Sequence, residues 1–267
     1  VFASIMTGLS ETFMTPYCLA LKGTTRQVGL LSSIPNLAAS LFLLKSSDAI
    51  TKLKSRKKII TSCVFLHALM WLPIIAIPYI FKANPVWYLI IFVTMYAIFN
   101  AFAGPAWAGM MSDYIPPSSR GRYFGWRNRM LGLVVVAAAF TAGFILKMIS
   151  RKTLLFEFIS NPLIFGFTVI FSMAFLARIM SGYFLTKMYE PKLKISQDSY
   201  FSFWDFVKRT KESNFAKFVF FVGGMSFAVN LASPFFAVYM LRDLRLDYVS
   251  YTVVITSATL TSLVMMG

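Results

Sequence analysis

Asp113-Tyr-Ile-Pro-Pro-Ser-Ser-Arg120-Gly121-Arg122-Tyr-Phe-Gly125-Trp126-Arg127-Asn128-Arg129 is a short basic loop caught between two long apolar runs. Pro116 and Pro117 cannot continue a helix, and Gly121 and Gly125 are expected to permit a tight turn. The four arginines of this loop are too much charge to cross a bilayer cheaply. The loop therefore stays on the side where it was made, and the flanking runs read as membrane helices that cross in opposite directions.

The whole chain follows this pattern. Its 267 residues are 58% hydrophobic and 13% charged, with a mean hydropathy of +0.68. A soluble domain of that length has no room to bury so much apolar surface, so most of it must meet lipid. Eight spans can be drawn, each near the ~20 residues a bilayer core requires: 1–21, 28–47, 59–81, 86–111, 126–149, 162–187, 215–240 and 249–267. The expected fold is an all-α polytopic transmembrane bundle. It divides into a six-helix unit over 1–188, a linker over 189–214 and the first two helices of a second unit over 215–267. The run that starts at Val1 lacks an initiator Met and a cleavage site, and the chain stops within an apolar run. Both point to a fragment that opens on a membrane helix and not on a signal peptide.

Charge sets the expected orientation. Of 26 Lys and Arg residues, seventeen fall in or beside the loops after spans two, four and six, and eight fall on the other side. Arg178 alone lies inside a span. The positive-inside rule then puts those three loops and the N-terminus in the cytoplasm, with the plasma (cytoplasmic) membrane as the expected location. It also accounts for the net charge of +16 without nucleic acid, since no continuous basic face exists. Trp87 and Tyr88 on one side, with Tyr114, Tyr123 and Trp126 on the other, suit interfacial belts. In the linker, Phe203, Phe206 and Val207 share a helical face ahead of Lys208, Arg209 and Lys211. This is expected to be a short helix lying on the membrane surface. Small residues on span five, Ala138-x3-Ala142 and Ala139-x3-Gly143, predict close helix contacts.

A weak internal repeat is also present. Thr15-Pro16-Tyr17 in span one, with Glu11 upstream, is echoed by Ser233-Pro234-Phe235 in span seven, with Asn230 upstream. Six spans, a long linker and a seventh span that echoes the first is the layout of two parallel six-helix halves.

With these features in view, the chain resembles the major facilitator superfamily of secondary transporters. Asp113-x6-Arg120-Gly121-Arg122 is similar to the acidic-x6-Arg-Gly motif those proteins carry after span four. Asp48 followed by Arg56, Lys57 and Lys58 is similar to their motif after span two, although Leu44 stands where the motif has Gly and the Asp-to-Arg spacing is longer. The resemblance implies twelve spans, of which nine to twelve lie outside this sequence. Asn100, four residues before Gly104, stands where proton-coupled drug exporters carry Arg, and span five lacks the Gly-Pro element of antiporters. Both differences argue against a drug–proton antiporter.

Glu11 lies near the middle of span one, where an ionised side chain costs roughly 3 kcal/mol. Ser4, Thr7, Glu11 and Thr15 recur at helical spacing, so this stripe should face a watery cavity. Glu11 either loads and releases a proton as access alternates or is hydrogen-bonded to a neighbouring helix. Ser226, Asn230 and Ser233 form the matching stripe on span seven. Pro16 and Pro234 each free a backbone carbonyl near these stripes. Tyr96, Asn100, Gly104 and Trp107 share a face of span four that either contacts substrate or packs. Asp48, Arg56, Asp113, Arg120 and Arg122 form a candidate cytoplasmic gate, or else only fix topology. Arg178 either snorkels part of the way towards the cytoplasmic end of span six or pairs with an acidic residue, and His67 reads as a packing residue and not a proton relay.

Cys18 and Cys63 lie in apolar runs with no metal-ligand spacing. No nucleophile–base pair or phosphate loop appears, so neither an enzyme nor an ATP-driven pump is expected, and no cofactor or metal. Two readings follow. The first is a secondary active transporter that moves a small solute by alternating access, with protons as a possible coupling ion and membrane lipid as its surroundings. The second is a helical membrane protein that senses or scaffolds and transports nothing.

Overall fold

The structure is a computed structural model that describes residues 1–53, 55–150, 161–191 and 214–265, without the side chains at 47, 48, 51 and 263–265. Among the described residues every regular element is helical. Five helices are long and apolar enough to cross a membrane: Arg56–Ile80, Pro85–Tyr114, Pro117–Ser150, Pro162–Thr186 and Asn214–Asp243. The expected surface helix with Phe203, Phe206 and Val207 lies outside the described residues.

The first expected span is helical but broken. Helix α1 (Phe2–Ser10) passes through a 3-10 turn at Glu11–Phe13 into α2 (Met14–Ala20). Ser10 leaves helical geometry, and its hydroxyl donates back to the Met6 carbonyl, a bond that competes with the helix ladder. Pro16 removes the hydrogen bond that the Thr12 carbonyl would otherwise accept. The hydroxyl of Tyr251 takes that place at 3.0 Å. A second pairing follows the same logic. Pro78 frees the Ile74 carbonyl, which accepts the buried Tyr17 hydroxyl at 2.8 Å. In lipid a freed carbonyl must find a donor from a neighbour, and tyrosine supplies one across a helix interface.

The second expected span is α3 (Thr25–Leu43). Its start is fixed by a capping box in which Thr24 and Gln27 satisfy each other's backbone N–H. A short helix, α4 (Ser46–Leu53), follows. The third is α5 (Arg56–Leu69) and α6 (Trp71–Ile80), interrupted at Met70, where Pro73 cannot bond the Leu69 carbonyl. The fourth is α7 (Pro85–Tyr114) and the fifth α8 (Arg120–Ser150). Here the sequence reading needs a correction. Gly121 and Gly125 do not make a turn; they lie inside α8, which begins six residues before the expected 126. The reversal is made by Ile115, Pro116 and a 3-10 turn at Pro117–Ser119. Arg120 then donates to the Ser112 carbonyl at 2.8 Å and the Ile115 carbonyl at 3.1 Å, satisfying groups that the end of α7 leaves open. The remaining elements are α9 (Pro162–Thr186), α10 (Asn214–Val238), a π-turn at Tyr239–Asp243 and α11 (Tyr248–Met265).

Packing pairs α3 with α7, α5 with both α7 and α9, and α1 with both α8 and α9. The small residues of α8 serve two neighbours. On one face, a Cβ at Gly8 of α1 would lie 2.7 Å from the Ala138 Cβ, so only glycine lets α1 approach so closely. On the other, a Cβ at Gly143 would lie 2.7 Å from the Thr252 hydroxyl of α11. The resulting core is continuous. Phe13, Tyr17, Trp71, Leu89, Ala139, Phe167, Phe171 and Tyr251 are all buried within it. Most of α10 is exposed.

Candidate solute and proton site

Within this apolar core lies a polar network built from four elements. The break at Ser10–Glu11 carries the Glu11 carboxylate, which is exposed and accepts the Tyr96 hydroxyl of α7 at 2.6 Å. The Tyr96 ring is buried, packs against the His67 ring at 3.9 Å between centroids with a tilt of 34°, and meets Trp71 edge-on. His67 accepts a hydrogen bond at Nδ1 from Arg178 Nε of α9, at 2.9 Å. Arg178 Nη2 also donates to Asn100 Oδ1 of α7, at 3.2 Å. A guanidinium at this depth costs several kcal/mol when left without acceptors. Its two neutral acceptors explain how α9 tolerates it. Because Nδ1 accepts, the imidazole proton sits on Nε2 and His67 is neutral. That Nε2 and the Trp71 Nε1 are buried donors with no acceptor among the described residues.

Of the candidates named from sequence, Glu11 and Asn100 join this network, each with an exposed side chain. Thr7 and Thr15 are half-buried on either side of the break. Trp107 is elsewhere: its ring lies 4.5 Å under the Arg127 guanidinium and packs at the edge of a separate buried cluster around Ile60 and Met110. Asn230 is also apart from Glu11. It donates to the Ser226 carbonyl of its own helix and lines a cavity of about 850 Å3 between α3 and α10, opposite Ser33, Asn36 and Ser40.

The gate candidates gather where α5 begins and α7 ends. Arg56 Nη1 meets Asp113 Oδ2 at 2.6 Å, and the guanidinium packs over Gly109. Arg120 caps α7 as described, and Arg122 is exposed. The backbone of Asp48 lies in α4; its side chain is outside the described residues. An unforeseen member is Glu190, just after α9. Its carboxylate accepts the Lys57 N–H at 3.1 Å and the Ser55 hydroxyl at 2.8 Å. Burial alone would raise its pKa, but these bonds at the start of α5 outweigh it and hold the carboxyl below its ordinary range. The Tyr114 hydroxyl donates to the Tyr189 carbonyl beside it.

At the opposite end a second set of ties was also missed. Lys147 Nζ of α8 meets Asp247 Oδ2, before α11, at 2.5 Å. Arg242 donates to the Gly23 carbonyl at 2.9 Å. The bond from Lys147, joined by those from Ser250, holds the Asp247 carboxyl well below its ordinary pKa. Among the described residues no group of His, Cys, Asp and Glu could hold a metal ion.

A bundle of apolar helices enclosing ionisable groups defines a polytopic membrane protein with a polar interior. The profile of the Major Facilitator Superfamily matches residues 1–267, and the chain belongs to that family of membrane transporters. No curated protein and no solved structure matches it.

Proposed function

We propose that this protein is a secondary active transporter that moves a small solute by alternating access, with Glu11 carrying a coupled proton. The moving parts are a bundle over 1–188 and a second beginning near 215, joined through 189–214. The loops after spans two, four and six face the cytoplasm of a cell bounded by the plasma membrane. The observation that carries this reading is the Glu11–Tyr96 bond at a helix break inside the bundle. A carboxylate there is held by one phenol and remains exposed on its other side, so it can exchange a proton as access changes. The Arg56–Asp113 pair braces the first bundle at the cytoplasmic surface.

The test is net solute flux in proteoliposomes with a pH-sensitive dye inside, comparing the wild type with Glu11→Gln. The variant should lose proton movement and the pH dependence of net flux, while solute exchange persists. Unchanged pH dependence would remove Glu11 as the carrier.

A further inference from the structure

We propose that Arg178 and Asn100 form the subsite for an acidic group, a carboxylate or a phosphate, on the transported solute. The inference rests on reading the polar interior as the solute path. Arg178 is only 7% exposed, yet its acceptors, His67 Nδ1 and Asn100 Oδ1, are both neutral. The ion pairs among the described residues are Arg56–Asp113 and Lys147–Asp247, both at helix ends. Glu11 is near enough for its charge to reach Arg178, but it is not in ion-pair contact and its Oε1 is engaged by Tyr96. The guanidinium is therefore hydrogen-bonded but not neutralised.

Its remaining N–H donors meet no acceptor among the described residues, and neither does the amide NH2 of Asn100. These are the groups a planar carboxylate or a phosphate engages through a guanidinium fork. Asn100 is exposed. One turn further along α7, a Cβ at Gly104 would meet nothing within 4 Å, which leaves open space beside the amide. Glu11 is bonded to Tyr96 and its charge reaches Arg178, so it opposes an incoming anion. Arg178 and Glu11 should therefore affect anion binding in opposite directions.

The experiment is thermal unfolding of the purified full-length protein in neutral, lipid-free detergent. Sodium succinate and inorganic phosphate are titrated against sodium chloride of equal ionic strength and against uncharged succinamide. The midpoint should rise saturably with succinate or with phosphate, and whichever acts identifies the acidic group. Arg178→Gln should weaken apparent affinity by about tenfold or more, consistent with loss of one charge-assisted contact. Arg178→Lys, which keeps the charge and loses the fork, should fall between. Glu11→Gln should strengthen affinity. If neither oxyanion acts beyond chloride, or if Arg178→Gln responds like the wild type, the subsite is overturned. Should Arg178→Gln not fold, Asn100→Ala decides, because its side chain is exposed: unchanged affinity again overturns the proposal. Binding in detergent requires no flux. Failure here leaves alternating access standing, whereas binding without flux in vesicles overturns transport and leaves the subsite.

Discussion

The two ends of the bundle are tied differently. At the basic end, Arg56–Asp113 and Arg120 with the end of α7 join elements within the first six spans, and Glu190, just after the sixth, ties to the start of α5. At the opposite end, Lys147–Asp247 and Arg242–Gly23 join those spans to the seventh and eighth. The Tyr251–Thr12 bond, deeper in the bundle, makes the same crossing. The first set stays with the first six spans; the second ties those spans to the seventh and eighth. If two bundles rock about a central site, the crossing contacts are the ones that must break, and the internal ones must survive.

Covalent closure of the crossing end gives the largest expected effect. Lys147→Cys with Asp247→Cys, joined by a cleavable bis-maleimide, should abolish net flux in proteoliposomes, and cleavage of the linker should restore it. The native cysteines do not interfere, since Cys18 and Cys63 are buried. Flux that continues through the linked protein would mean that this end does not open.

Next come the tyrosines that serve proline-freed carbonyls. Tyr251→Phe removes a bond from the eighth span to the first, and Tyr17→Phe one within the first six spans. Each should cost about 1 kcal/mol of stability, as a buried hydrogen bond does. Only Tyr251→Phe should also raise the rate at which a cysteine near Thr12 is labelled by a water-soluble maleimide. Equal labelling in the two variants would erase the distinction between the ends.

How much of this was legible beforehand depends on the kind of signal. Membrane crossing, helix class and the basic loops follow from composition and spacing, because lipid allows few alternatives. The small residues of α8 also read correctly, since close approach needs them. The start of α8 did not: Gly121 and Gly125 look like turn residues, but Pro116, Pro117 and the Arg120 cap place the reversal before them. The partnership of His67, Asn100 and Arg178 had a usable signal, because polar groups in apolar spans must find one another. What the sequence lacks is which rotation of α5, α7 and α9 faces inward. Glu190 and Asp247 carried no signal at all. Each lies in a loop, and its partner comes from a helix distant in sequence.

The Arg56–Asp113 pair sharpens the comparison with a smaller effect. Asp113 is 42% exposed at its side chain and Arg56 14%, so water screens the interaction. A double-mutant cycle with Arg56→Gln and Asp113→Asn should return a coupling of about 0.2–1 kcal/mol in unfolding. Linker cleavage apart, that cycle should leave the accessibility of the Lys147–Asp247 end unchanged. A larger coupling would make this pair a structural pillar of the first unit.

The smallest expected effect is a null one, and it follows from the sign of the Asp247 shift. Lys147 holds the folded-state pKa of Asp247 below its unfolded value. The stabilisation is therefore fully present above the unfolded pKa of about 3.9 and is lost only as pH falls through the lower folded value. Between about pH 5 and pH 8 the Asp247 carboxylate therefore stays ionised. Spin labels flanking Lys147 and Asp247 should thus report one distance distribution across that window in the absence of solute. Any pH dependence of flux in the same window must then arise elsewhere. A distance distribution that broadens towards pH 5 would instead make the crossing end itself the proton-sensitive element.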